Sequence, residues 1–172
     1  MITCMHVCYY TDLNILGAAY GRADVTNVVK SQVSSSQTLN IVASNGVFGD
    51  TWFGVPKTLV VVYQHEGYDP KIRIARERHT MSIGSRTRGN NLPFNNPDNN
   101  LRIVGAVCGL QDVTHILQSK VANNRLEVPV PDHALLGDPK CGAEGSMVVV
   151  YQFGNGPYET EIFVDETTVS IP

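Results

Sequence analysis

The chain carries the same pattern twice. Leu13-Asn14-Ile15-Leu16-Gly17-Ala18 returns 88 residues later as Leu101-Arg102-Ile103-Val104-Gly105-Ala106. At the same spacing Gly21 falls on Gly109, Asp24-Val25-Thr26 on Asp112-Val113-Thr114, and Gly49-Asp50 on Gly137-Asp138. Gly54 falls on Gly142, Val60-Val61-Val62-Tyr63-Gln64 on Val148-Val149-Val150-Tyr151-Gln152, and Ser82-Ile83 on Ser170-Ile171. One register slip aligns Leu39-Asn40-Ile41 with Leu126-Glu127-Val128. A fixed period of this kind predicts two homologous units, and each is small enough to need the other's surface. The run from Gly84 to Asn100 is rich in Gly, Pro and Asn and has no apolar periodicity, so it reads as a connection. The expected division is 1–84, a linker over 85–100, and 101–172.

Within a unit, Leu13 to Ala19 reads as a strand. Asp24 to about Ser35 reads as a helix, with Val25, Val28, Val29 and Val33 on one face and Asp24 or Thr26 as N-cap. Leu39 to Ala43 and the β-branched Thr58 to Gln64 read as strands, and a last strand runs from Ile72 to Ile83. Val113, Ile116, Leu117 and Val121 repeat the helical face. The fold class expected is α+β: two homologous small units, each a mostly antiparallel sheet with one main helix.

The most specific stretch is Ala43-Ser44-Asn45-Gly46-Val47-Phe48-Gly49-Asp50-Thr51-Trp52-Phe53-Gly54-Val55-Pro56-Lys57-Thr58-Leu59, leading to Tyr63. With Ala19-Tyr20-Gly21-Arg22 upstream and Ile2-Thr3-Cys4 at the start, it resembles the signature of rhamnose- and galactose-binding lectins of the sea-urchin-egg-lectin type. Tyr20-Gly21, Asp24-Val25-Thr26 and the run from Asn45 through Lys57 to Tyr63 are also similar to a cysteine-free domain of unknown function found in bacterial proteins and some J-proteins. The Asp-Val-Thr start fits that second group better. The lectin resemblance implies a sugar site in the first unit, at Tyr20, Arg22, Asn45, Asp50, Trp52, Gly54 and Lys57. It covers most of the first unit and weakly all of the second. The sequence departs from the lectins in lacking most of their cysteines: Trp52 and Lys140 stand where the signature cysteine would be, and Met5 follows Cys4 where those lectins carry Glu. The second unit has Cys108 for Tyr20, Leu110 for Arg22, Asp132 for Asn45 and Gly145 for Lys57, so the first unit is the expected site.

The residue types suit sugar recognition on their own. A carboxylate at Asp50 accepts from hydroxyls, an ammonium at Lys57 donates to them, and Gly49 and Gly54 allow close backbone approach. Against this, the glycines and Asp50 could serve a turn, Asn45 could tie down its own loop, and Tyr20 could be packing. Trp52 reads equally as a ligand platform, a core cover or a partner contact. Lys57 is the discriminator, because the fold has no obvious need of it where Gly145 replaces it.

Several other constellations bear on function. Cys4, His6 and Cys8 share a strand face, three potential zinc ligands without a fourth, and read as packed thiols; no metal or other cofactor is expected. Cys108 and Cys141 are a possible pair. The cations Lys71, Arg73 and Arg78 fall, 88 residues on, against Glu159, Glu161 and Glu166. These opposed faces predict attraction within the chain or head to tail between copies, hence a homo-oligomer. His65-Glu66 and Glu77-His79 read as surface charge. No nucleophile elbow, phosphate loop, zinc-protease or dinucleotide motif occurs, so no enzyme is expected. With 17% charged residues and a net charge of −3, a nucleic-acid partner is not expected. No apolar run is long enough to insert into a membrane, and no signal peptide is recognisable. Four cysteines and no Asn-X-Ser/Thr sequon leave a cytoplasmic protein, or one secreted without a recognisable signal. The function expected is a carbohydrate-binding lectin for rhamnose- or galactose-type sugars, with glycans as partners; the alternative is a non-catalytic interaction or self-assembly module without sugar binding.

Overall fold

The structure, a computed structural model, describes residues 10–87, 99–129, 146–164 and 168–172. It is dominated by antiparallel sheet. The first half builds β1 (Leu13–Tyr20), β2 (Ala23–Asp24), α1 (Thr26–Ser31), β3 (Leu39–Val42), α2 (Asn45–Phe48), β4 (Thr58–His65), β5 (Lys71–Arg76) and β6 (Thr80–Ile83). The second builds β7 (Leu101–Cys108), β8 (Gln111–Asp112), α3 (Thr114–Lys120), β9 (Leu126–Pro129), β10 (Ser146–Phe153), β11 (Tyr158–Val164) and β12 (Thr168–Ile171). Strand order is β2-β1-β4-β5 in one four-stranded sheet and β11-β10-β7-β8 in the other, with β3-β6 and β12-β9 as two-stranded companions.

The valine runs explain the centre of the molecule. Val60 to Val62 and Val148 to Val150 lie in inner strands that are buried on both faces, which is why they do not alternate with polar residues. One face of each large sheet covers its own helix and two-stranded sheet. Leu59, Val61 and Tyr63 join Val29, Leu39 and Met81 there; Met147, Val149 and Tyr151 join Leu117, Leu126 and Val169. The other faces pack on each other. Leu16 and Val62 meet Val104 and Val150, and Ala19 and Val60 meet Val107 and Val148. A bulge between Ile15 and Gly17 turns Leu16 toward this seam while Leu13 and Ile15 stay in the first core. Gly17 is required for closeness: a Cβ there would lie 2.5 Å from Val150 Cγ2. Gly105 stands the same way against Val62, at 2.7 Å. Ser146 Oγ donates across the seam to the Gly21 carbonyl at 3.1 Å.

Three local expectations are corrected. The helix is shorter than expected, six residues from Thr26, because Asp24 is already paired in a strand with Ala19. Neither Asp24 nor Thr26 is the N-cap, which is Val25. Asp24 Oδ1 accepts the Thr26 N–H (2.8 Å) while Thr26 Oγ1 accepts the Ala18 N–H (2.8 Å), so the repeated Asp-Val-Thr ties helix to strand. Thr114 does the same with Asp112 and Ala106. The last strand of the first half is two strands, broken where Arg78 takes a left-handed φ of 69°. β5 completes the large sheet and β6 pairs with β3.

Among the described residues the opposed charges do not meet within the chain. Arg73 pairs across from Val61 and Glu161 across from Val149, so both charge rows lie on the core-covering faces, which point away from each other. Among the described residues the ion pairs are those of Lys57 with Asp50 and Glu77; Glu166 lies outside the described residues. Cys108 is buried and disulfide-bonded; Cys4, His6, Cys8 and Cys141, and Asp132, Lys140 and Gly145, lie outside them. Among the described residues no helix is long and apolar enough to cross a membrane.

Candidate functional site

The loop between α2 and β4 folds over the end of the first sheet. Asn45 opens the single turn of α2, and Gly49 closes it at φ 80°; Gly54 turns again at φ 75°. Nothing lies within 4 Å of a Cβ built at either glycine, so both are there for backbone conformation and not for space. The loop delivers Lys57 to the start of β4, where its side chain turns inward and is only 4% exposed.

Lys57 is the hub. Its Nζ lies 2.8 Å from Asp50 Oδ1, donates to the Val55 carbonyl at 3.1 Å and sits 3.8 Å from Glu77 Oε2. Glu77 Oε2 also accepts the Lys57 backbone N–H at 3.1 Å. The hydrogen bond from Lys57 holds the Asp50 carboxyl below the usual carboxylate range, against some desolvation. The stem of Lys57 runs beside Gly21, where a Cβ would stand 3.2 Å from Lys57 Cγ and 2.6 Å from Thr51 Oγ1. Any other residue at position 21 would strain the backbone at φ 60° and press on Thr51, and the lysine stem would have to give by a few tenths of an ångström.

Asn45, Asp50, Gly54, Val55, Pro56, Lys57, Glu77 and Arg78 line an open cleft of 460 Å³. Four of the seven expected site residues are among them: Asn45, Asp50, Gly54 and Lys57. The other three are placed differently. Tyr20 is fully buried, so it cannot cover a ligand face. Its hydroxyl donates to Asn45 Oδ1 at 2.9 Å and its ring packs 5.0 Å from Phe48. Burial, then the charges of Glu77 and Asp50, push its hydroxyl up to about 12. Arg22 lies with its guanidinium 3.9 Å over the Trp52 ring. That stack occupies one face of the indole and keeps both residues out of the cleft lining.

Glu77 and Arg78 belong to the cleft and were not expected there. Hairpin register places Glu77. Thr58 pairs with Arg76 in the β4–β5 hairpin, so Glu77 falls opposite Lys57, and its N–H donates to the Lys57 carbonyl at 2.7 Å. Lys57 is buried between two carboxylates, which gives the fold a use for it that the sequence does not suggest.

Chemically the cleft offers two carboxylates, an ammonium, a guanidinium and the Asn45 amide, whose oxygen is taken by Tyr20. Among the described residues no cluster of three His, Cys, Asp or Glu side chains has metal-holding geometry. A larger groove of 850 Å³ lies in the second half between β7 and α3, but it contains none of the signature residues. The stretch of the second half that corresponds to the cleft loop, 130–145, lies outside the described residues. Compared with known proteins, the chain matches no family model, no curated protein and no solved structure.

Proposed function

We propose that the chain is a carbohydrate-binding protein built from two copies of one lectin-like unit, and that the cleft of the first half takes a single rhamnose- or galactose-type sugar. The observation that carries this reading is convergence. Asn45, Asp50, Gly54 and Lys57 are scattered over thirteen positions of sequence, yet with Glu77 they line one small polar cleft. Sugar hydroxyls both donate and accept, so a fitting site offers both kinds of partner, held rigidly. Here Tyr20 fixes Asn45 and Lys57 fixes Asp50. That leaves the Asn45 NH₂ as donor and the outer oxygens of Asp50 and Glu77 as acceptors. Without a nucleophile or a poised acid–base pair in the cleft, the activity is binding, not catalysis. The disulfide at Cys108 favours the secreted over the cytoplasmic alternative.

The test is calorimetric titration with rhamnose and galactose, beside Asp50→Asn, which keeps the shape and removes the charge. Wild-type binding that weakens at least about tenfold in the variant, titrated at a temperature where both proteins are folded, supports the reading. Equal affinity in both proteins, or no binding to either sugar by folded protein, discards it. The second reading, a non-catalytic interaction module, draws on Phe53, which stands beside the cleft with 90% of its surface exposed. A blank glycan array, together with a protein partner lost in Phe53→Ser, selects that alternative.

A further inference from the structure

Independently of the cleft, we infer that copies of this chain join head to tail through their sheet edges, β5 of one copy lying antiparallel beside β11 of the next. Each of these strands ends its sheet, and among the described residues no strand lies on its outer side. A bare edge presents unpaired N–H and C=O groups and needs either a cover or a means to choose its partner. The charges on these edges supply the choice. Lys71 and Arg73 project from β5 on the face shared with Tyr63 and Val61. Glu159 and Glu161 project from β11 on the matching face, shared with Tyr151 and Val149. Two β5 edges would bring cations together and two β11 edges would bring carboxylates together, so only the unlike edges attract.

The acidic edge is also ordered in advance. The buried Tyr151 hydroxyl lies 3.0 Å from Glu159 Oε2 and 2.7 Å from Glu161 Oε1. Less side-chain freedom is therefore lost on pairing. With Lys71 set opposite Glu161, Arg73 falls opposite Glu159. On the other face the half-buried Ile74 then meets Tyr158, which is 37% exposed. The contact cannot close on a single pair. β11 packs over β1 and β2, the end of the first sheet away from β5, so the two edges lie on opposite sides of the sandwich. A heterologous contact of this kind generates rings or open chains.

The experiment measures the light-scattering mass of the full chain against concentration, at low and high salt, for wild type, Arg73→Glu and Glu159→Lys. Wild type should grow in mass with concentration at low salt and fall to the monomer at high salt. Each variant alone should stay monomeric, because one of its two cross-edge pairs now joins like charges. An equimolar mixture of the two variants should assemble again, since the reversed charge at position 73 of one meets the reversed charge at position 159 of the other. Glu159 is exposed, and Tyr151 keeps its 2.7 Å bond to Glu161 in the variant; if the melting temperature still falls, Lys71→Glu with Glu161→Lys is the equivalent matched pair. A wild type that stays monomeric throughout, or an assembly that neither variant changes, overturns the inference. Assembly in either variant alone that equals the mixture overturns it as well.

Discussion

Across the seam between the sheets, Gly17 of the first half faces Val150 of the second, and Gly105 of the second faces Val62 of the first. Valine 62 and valine 150 are themselves 88 residues apart, as are the two glycines, so the contact is reciprocal, like the interface of a twofold dimer. At the cleft end the halves diverge: Lys57 and Tyr20 stand where the second half has Gly145 and Cys108. What is shared packs the two halves together, and what differs lies at the first half's polar cleft. The sharpest way to break the comparison is to fill the seam. Gly17→Val and Gly105→Val should each destabilise by about 3 kcal/mol, the upper end for an overpacked core, read as a lower urea midpoint at unchanged slope. Gly17→Val should cost more, because Thr160 Oγ1 also crowds that site. Trimming Val150 to Ala should partly relieve a Gly17→Ala variant, while trimming Val62 should not. A harmless Gly105→Val would mean the seam is reciprocal in sequence only.

The next effect comes from the position where the halves differ most. Lys57→Met leaves Asp50 and Glu77 facing each other without their cation. Breaking a fully buried pair costs about 3–5 kcal/mol; Asp50 retains 38% side-chain exposure, so about 2 kcal/mol is expected here. For a chain of this length that lowers Tm by about 4–8 °C. Adding Asp50→Asn and Glu77→Gln to Lys57→Met should recover part of the loss by removing the unpaired charges. A Tm unchanged in Lys57→Met would return Lys57 to the status the second half suggests, a residue the fold does not use.

Much of this molecule was legible before its structure. The strands were marked by β-branched runs, whose bounds came within a residue or two, and the repeat spacing tied each strand of one half to its counterpart. The helix is shorter than its pattern suggests because Asp24, which accepts from the first helical N–H at Thr26, itself lies in β2, while the Thr26 hydroxyl is turned to Ala18 in β1. The single strand expected from Ile72 to Ile83 hid a break, since a left-handed arginine leaves no mark in composition. At the cleft, the consecutive stretch from Asn45 to Lys57 was readable as a motif. Glu77 was not, because its place depends on hairpin register, a long-range property. Tyr20 and Trp52 were ambiguous for a related reason: an aromatic ring shows its size in the sequence, but not whether its face is covered by Phe48 or by Arg22.

The smallest effect distinguishes the halves by titration. Tyr63 and His65 meet edge to face at 5.9 Å in the first core, and Tyr151 and Phe153 repeat that geometry at 6.0 Å in the second. His65 is 4% exposed. Burial, and next the charge of Arg86, hold its imidazole below the ordinary value of 6.5. A depressed folded value means that the unfolded chain binds the proton more readily. The stabilisation is therefore complete above pH 6.5 and is lost as pH falls through the folded value. Phe153 contributes no such slope. His65→Phe should flatten the fall of Tm on the acid side of pH 6.5, and Thr11 keeps a partner in the Arg86 carbonyl at 3.2 Å when the imidazole is gone. Asp50 acts in a separate window, around and below its ordinary 3.8, and Tyr20 in a third, between pH 10 and about 12, where its raised value means stability is lost as pH rises. A slope just below pH 6.5 that survives in His65→Phe would assign the acid sensitivity to other groups and reduce the difference between positions 65 and 153 to packing.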